Sequence, residues 1–282
     1  VKYSGFTPSY DFSNVADNDS IAMLSSYFPS SSVHYIDSTS DENKWLIQVS
    51  GNDGAGAYKI YNRGKNQLQN LVSQYPEIQS IGELKAVKFK ARDGMKIPSI
   101  ITLPADPKKR RNLPLIALPH GGPEAHDSIG FDWLAQYLSA KGYAVLQPNF
   151  RGSNGFGNAL RDSGHGEWGQ KMQDDVSDGV AALVKAGYVD PKRVCIMGAS
   201  YGGYSALAGG AFSPELYRCV ISIAGVSDLP RMLKSAKFKF GSSHWVVGYW
   251  KKIIGDSNEK IIHSKLRNLT IRMDRLEAIN NL

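Results

Sequence analysis

The stretch that decides the fold runs from Arg193 to Tyr204 and reads RVCIMGASYGGY. An apolar run followed by Gly-x-Ser-x-Gly is typical of a nucleophile elbow, in which a strand turns sharply into a helix with serine at the apex. Gly198 and Gly202 occupy the positions where a side chain would strike the strand or the helix. The turn would lift the Ser200 hydroxyl clear of the sheet, beside backbone N–H groups that stabilise developing negative charge. The pattern therefore predicts Ser200 as a catalytic nucleophile, the alternative being a plain glycine-rich turn.

A second glycine-rich loop follows an earlier apolar run. Residues 115–118 predict a buried strand, which leads directly into the loop Pro119-His120-Gly121-Gly122-Pro123. α/β-Hydrolases take one oxyanion donor from the residue after the nucleophile and another from a loop after the third strand. We expect the donors to be the Tyr201 N–H and the N–H of Gly121 or Gly122, since glycine lets the backbone approach a substrate carbonyl. A turn that merely ends a strand is the alternative interpretation of this loop.

Six short motifs occur in order along the chain: Leu118–Pro123, Gln147–Ser153, Trp168-Gly169, Gln173–Val176, Asp190–Arg193 and Gly198–Tyr204. Together they resemble the prolyl oligopeptidase family, and within it the acylaminoacyl-peptidase and dipeptidyl-aminopeptidase branch. The similarity is continuous from about Lys85 to about Leu233. The resemblance implies a serine peptidase domain with peptide substrates, without a cofactor or a metal, behind a β-propeller that filters substrates by size.

Apolar runs that alternate with helical patterns predict an α/β-hydrolase domain over residues 85–254, a mostly parallel sheet covered by helices. Strands are expected at 87–91, 97–103, 114–119, 143–147, 193–199 and 219–225, the last of them buried, and helices at about 131–140, 175–186 and 201–212. The first 80 residues contain four shorter strand patterns, at 32–36, 44–49, 57–61 and 67–72. Four strands at this spacing predict one propeller blade over residues 1–80. The resemblance makes it the last blade of the family's propeller.

The chain after Ser200 departs from the family pattern. The resemblance places the aspartate of the triad roughly 80 residues after the serine and the histidine about 30 further on, whereas 82 residues follow Ser200. Asp228 is expected to be structural, and neither His244 nor His263 follows a strand, where the catalytic base would stand. Residues 255–282 predict a divergent, basic helical tail in place of the last strands. We therefore expect a chain truncated at both ends, through a frameshift, an early stop or a gene-model error.

Composition excludes several classes of protein. The net charge is +7, but 11 basic and 4 acidic side chains after residue 230 account for it, and no stacking aromatics are interleaved in the last 30 residues. We expect a solvated basic face and no nucleic-acid partner. Because no apolar run reaches 18 residues, no membrane partner is expected either. Cys195 and Cys219 fall in apolar strands and are predicted to be buried free thiols. The compartment, cytoplasmic or periplasmic, and the oligomeric state stay open.

Two hypotheses about function follow. The first is a serine peptidase of the aminoacyl, acylaminoacyl or dipeptidyl type that cleaves peptide bonds through a Ser200 acyl-enzyme. It would be inactive as this chain, because the aspartate and histidine of the triad are missing. The second is a non-catalytic gene fragment or interaction remnant. A carboxylesterase is a further alternative, disfavoured by the preceding blade and by a loop with two glycines rather than three.

Overall fold

The computed structural model describes residues 2, 3 and 5–255. Nearly all of the predicted tail, with Asp256, His263 and Asp274, therefore lies outside the described residues. The chain forms two compact units, one of residues 1–86, 100–110 and 127–145 and the other of residues 87–99, 111–126 and 146–282. The predicted division into residues 1–80 and 85–254 stays a prediction.

The first unit is built around a four-stranded antiparallel sheet. Its elements are β1 (Lys2–Tyr3), β2 (Pro8–Ser9), α1 (Val15–Tyr27), β3 (Ser31–Ser38), β4 (Lys44–Gly51), β5 (Gly54–Asn62) and β6 (Gln67–Ser73), with α2 (Trp133–Ala140). Strands β3 to β6 pair in chain order, and the buried side chains of Trp45, Ile47 and Val49 on β4 pack with Leu24 of α1. The four predicted strands are confirmed. Helix α1 was not expected, because only Ile21 and Leu24 of its 13 residues are buried and so the apolar periodicity is weak.

A six-stranded sheet carries the motifs named above. Its strands are β7 (Glu83–Lys90), β8 (Lys96–Leu103), β9 (Leu113–Ala117), β10 (Ala144–Pro148), β11 (Val189–Ala199) and β12 (Cys219–Ile223). The order across the sheet is β12, β11, β9, β10, β8 and β7, and β11 pairs in parallel with both β9 and β12. The helices of the second unit are α3 (Asn158–Asp162), α4 (Lys171–Lys185), α5 (Tyr201–Phe212), α6 (Leu229–Phe240) and α7 (Trp245–Ile254). These elements confirm the predicted α/β-hydrolase fold.

The last described strand corrects two predictions. Strand β12 lies at the edge of the sheet, so Ile221 and Ile223 are 42% and 46% exposed, and the expectation of a buried strand is wrong. The prediction that Cys195 and Cys219 are free thiols is also wrong, because they form a disulfide. The two residues are register partners on adjacent parallel strands, 4.7 Å apart between Cα atoms, which is within disulfide range. Neither strand pairing nor register could be deduced from the spacing of two cysteines.

A search for membrane-spanning segments among the described residues finds no helix both long and apolar enough to cross a bilayer.

Candidate active site

Ser200 stands at the turn between strand β11 and helix α5. Its backbone has φ 57° and ψ −119°, a conformation that a residue with a side chain adopts only under strain, at a cost of about 1–3 kcal/mol. The surrounding backbone holds this conformation in place. The Ser200 N–H donates to the Ile223 carbonyl at 3.0 Å, and the Ser200 carbonyl accepts from the Tyr204 N–H at 3.0 Å. The residue is thus fixed by the edge strand on one side and by the first turn of α5 on the other.

The glycines of the elbow permit this close packing. A Cβ on Gly198 would come 2.5 Å from the carbonyl carbon of Gly202, and a Cβ on Gly202 would come 2.1 Å from the Pro119 oxygen. Gly203 lies equally close to the next loop, since its Cβ would stand 2.7 Å from the Gly225 Cα. Real Cβ atoms do not approach other atoms so closely. Strand, helix and loop therefore meet at Ser200 only because these positions lack side chains.

The structure brings the two glycines of the earlier loop to the serine. A Cβ on Gly121 would lie 3.7 Å from the Ser200 Cβ, so the two residues are neighbours. Gly122 has φ 120° and folds back on the loop, where its Cβ would come 2.8 Å from the Glu124 nitrogen. Tyr201 is the first residue of α5, and the N–H groups of a first helical turn have no intrahelical acceptor. The backbone N–H groups expected to bind an oxyanion thus come from segments that adjoin Ser200.

His120 orients one of these peptide groups. Its Nδ1 lies 2.7 Å from the Gly121 carbonyl oxygen, and because that oxygen only accepts, Nδ1 donates the proton. Its Nε2 lies 2.8 Å from the Ser153 hydroxyl. In a trans peptide the carbonyl and the following N–H point in opposite directions. Since the Gly121 carbonyl faces His120, the Gly122 N–H faces away from that ring.

Burial lowers the pKa of His120 to about 4, so the ring is neutral at physiological pH. Both of its nitrogens contact groups of the loops, and neither contacts Ser200. The position agrees with the expected backbone or packing role and not with proton transfer.

A row of aromatic rings supports the elbow from beneath. His120 stacks on Phe150 with centroids 4.4 Å apart, and Phe150 lies 5.2 Å from Tyr201. Trp168 completes the row, 4.6 Å from Tyr201 and 4.9 Å from Tyr204. Burial raises the pKa of both the Tyr201 and the Tyr204 hydroxyls, so both stay protonated and neither can act as a base. These rings come from three of the six motifs singled out in the sequence, plus His120 of a fourth.

A buried ion pair holds the loop that carries Phe150 and Ser153. The Arg151 guanidinium donates to both carboxylate oxygens of Asp175 on α4, at 2.8 and 2.7 Å, and its backbone N–H donates to the same carboxylate at 2.9 Å. A third donor of Arg151 contacts Asp93 at 2.8 Å, which lowers the pKa of Asp93 to about 2. Sequence reasoning quoted both motifs but did not find this pair. Only the opposite charges in two apolar surroundings could have indicated it.

No base accompanies the serine in the part of the chain that the structure describes. None of the histidine or carboxylate side chains there hydrogen-bonds to the Ser200 hydroxyl. His126 contacts Asn154 at 2.6 Å, His165 lies 3.4 Å from Glu124, and His244 accepts from the Val246 N–H at the start of α7. Asp228 caps α6 by accepting from the Arg231 N–H at 2.9 Å, which agrees with the structural role expected for it. Within the described residues there is also no cluster of three or more metal-ligating side chains.

The fold and the elbow define the class: the second unit is an α/β-hydrolase domain with a serine at its strand–helix turn. A profile of the prolyl oligopeptidase family matches residues 129–256. This part of the chain belongs to the prolyl oligopeptidase family, whose members are serine peptidases acting on peptides.

Similar proteins come from bacteria, animals and archaea. The chain is 38% identical over 205 residues to dipeptidyl aminopeptidase BIII of Pseudoxanthomonas mexicana, an alignment that covers 70% of this chain and 30% of that protein. It is 34% identical over 229 residues to dipeptidyl peptidase family member 6 of Caenorhabditis elegans, covering 73% of this chain and 31% of that protein. Among solved structures, an acylaminoacyl peptidase of Pyrococcus horikoshii superposes with a TM-score of 0.65 at 21% identity, covering 85% of this chain and 37% of that one. The chain thus spans about a third of the length of the relatives it matches.

Proposed function

We propose that Ser200 is the nucleophile of a serine peptidase site, with the Tyr201 N–H and an N–H of the Gly121–Gly122 pair as its oxyanion hole. One observation carries this proposal. Ser200 holds a strained backbone conformation at a strand–helix turn, and Gly121 lies directly against it. Strain of this kind persists only where the surrounding structure enforces it, and it is concentrated at functional sites.

The chemistry that this arrangement supports is acyl transfer. The Ser200 Oγ would attack a peptide carbonyl while the two N–H groups stabilise the negative charge that forms on the carbonyl oxygen. The amine would then leave and the acyl-enzyme would be hydrolysed by water. His120 supports the site by holding the Gly121 carbonyl, which turns the Gly122 N–H away from the ring and makes it the better candidate for the second donor.

The substrate class is proposed from the relatives. Two of them are named as dipeptidyl peptidases, and one solved structure is an acylaminoacyl peptidase. We infer that the whole protein releases a short N-terminal unit, a dipeptide or an acylated amino acid, from a peptide. The four-stranded sheet β3–β6 would be the propeller blade that precedes the catalytic domain in this arrangement.

The 282-residue chain on its own is proposed to be catalytically incompetent. The proposal rests on the described residues, where no histidine hydrogen-bonds to the Ser200 hydroxyl. Without a base the hydroxyl stays protonated, and in the serine-protease template the loss of that partner lowers turnover by about six orders of magnitude. The elbow and the oxyanion donors alone would retain about three to four orders of magnitude over water.

A fluorophosphonate probe tests both parts of the proposal. We expect slow covalent labelling of Ser200 and no turnover of dipeptidyl or acylaminoacyl amide substrates. Ser200→Ala should abolish the labelling, while Ser235→Ala, at an exposed serine of α6, should leave it unchanged. Equal labelling of the Ser200→Ala variant would refute the nucleophile. Peptide turnover that depends on Ser200 would show that a base completes the site, and His263 would be the first residue to substitute.

The two alternatives predict different outcomes of the same assay. A carboxylesterase would hydrolyse short acyl esters in a Ser200-dependent manner without cleaving amides, and a non-catalytic remnant would show no labelling by the probe at all. The loop with two glycines rather than three continues to disfavour the esterase.

A further inference from the structure

A basic and aromatic surface covers helices α6 and α7, away from the residues assigned to the active site. Between Leu229 and Gly255 the chain has six basic and no acidic side chains, so this segment carries almost all of the net charge of +7. All six, Arg231, Lys234, Lys237, Lys239, Lys251 and Lys252, are exposed. Among the described residues none of them forms a salt bridge with a carboxylate. We call this segment, from Leu229 to Gly255, the basic surface.

One face of α6 combines cations with a protruding ring. Arg231, Lys234 and Phe238 follow one another at spacings of three and four residues, which places them on one side of the helix. They line the same shallow depression of about 620 Å³. The Phe238 ring is 94% exposed, whereas Leu229 and Leu233 on the opposite side of α6 are buried in the second unit. The helix therefore has a packed apolar face and an outer face that is both cationic and aromatic.

The aromatic character continues from α6 into α7. The rings of Phe240 and His244 stack at 5.2 Å, and His244 lies 5.8 Å from Trp245, which is 72% exposed. The Lys239 ammonium lies 5.2 Å from the Phe240 ring centroid. Exposed rings beside lysines are found where a protein lies on a bilayer, with the rings at the acyl boundary and the ammonium groups at the lipid phosphates.

We propose that the basic surface binds the surface of an anionic lipid bilayer, with Phe238 and Trp245 inserted and the α6 cations at the headgroups. The absence of a spanning helix from the described residues does not bear on this contact, because a peripheral helix lies in the interface plane. A single-stranded nucleic acid would also attract the cations, but it needs open ring faces on which bases stack. Phe240 and His244 already stack on each other, which leaves their edges exposed.

Vesicle co-sedimentation of the full 282-residue chain tests the proposal. We expect binding to vesicles of phosphatidylcholine mixed with phosphatidylserine, little binding to phosphatidylcholine alone, and weakening by added salt. The variant R231Q/K234Q should lower the partition coefficient by about 30-fold, from the contribution of each cation near an anionic membrane. Phe238→Ala should lower it by about tenfold through the lost ring insertion.

Matched variants elsewhere separate a local effect from a general one. K108Q/K109Q removes two exposed cations and Trp133→Ala removes an exposed ring outside the basic surface, and both should bind as the parent does. Far-UV circular dichroism confirms that each variant is folded, and Ser200→Ala should bind vesicles normally because the inference is independent of catalysis. No binding to anionic vesicles, or equal loss in the control variants, would overturn the proposal. So would binding of a single-stranded oligonucleotide, sensitive to R231Q/K234Q, without binding of vesicles.

Discussion

Gly202 lies so close to Pro119 that a Cβ at residue 202 would stand 2.1 Å from the Pro119 carbonyl oxygen. The contact joins the start of helix α5 to the loop that carries Gly121 and Gly122, two segments that are 80 residues apart in the chain. It explains why the elbow and the loop arrive at Ser200 together, since the backbone of one packs directly on the backbone of the other.

Gly202→Ala is expected to separate these two segments. Because the atom that the new methyl group would strike is backbone and cannot rotate away, the loop must shift, at a cost of about 1–3 kcal/mol. Labelling of Ser200 by a fluorophosphonate should fall at least as strongly as stability. Gly248→Ala is the matched control, because its Cβ would meet nothing within 4 Å and alanine favours a helix. Unaltered labelling in Gly202→Ala would contradict the close packing.

The Arg151–Asp175 pair should be essential for folding. Arg151→Ala would leave the Asp175 carboxylate, which is fully buried, without its partner, and is expected to cost about 3–5 kcal/mol in a urea titration. The double variant R151M/D175L should recover much of that loss, because it removes both charges. Substituting Arg161 in the exposed pair with Asp162 should leave the free energy of unfolding unchanged. A small effect of Arg151→Ala would show that the pair is hydrated.

His120 should make the protein sensitive to acid. Its pKa is lowered from 6.5 to about 4 in the folded protein, so the unfolded chain binds a proton that the folded ring refuses between these values. Stability should therefore be full above pH 6.5 and fall as the pH drops towards 4, by no more than about 3 kcal/mol. His120→Gln should flatten this part of the profile. His244→Gln, at a partly exposed helix cap, is the control, and the same slope in both variants would refute the assignment.

Reduction of the Cys195–Cys219 disulfide should destabilise the edge of the sheet. The bond closes a loop with a sequence separation of 24, for which loop entropy gives about 3 kcal/mol. A dithiol should lower the midpoint of urea unfolding in the parent chain but not in the variant C195A/C219A. Alkylation of both cysteines in unreduced, denatured protein would show that the bond is absent.

Much of the site could be predicted because its signals are local in the sequence. Gly198, Gly202 and the apolar run before them specify a strand–turn–helix by sterics within about ten residues. The loop at Gly121 and Gly122 is recognisable for the same reason. The orientation of the Gly121 carbonyl by His120 was not predictable, since it depends on a ring whose position Phe150 and Ser153 determine from another loop.

The sequence by itself determined the strands, the elbow, the α/β-hydrolase class and the family, because periodicity and glycine placement act over short stretches of backbone. Only the tertiary structure decided which distant residues meet. The register of β11 against β12 pairs Cys195 with Cys219, and the burial of Asp175 makes its contact with Arg151 an internal ion pair. The edge position of β12 and the exposed outer face of α6 follow from the same cause. Strand order and helix packing are set by the balance of buried area over the whole unit, which no single stretch of sequence contains.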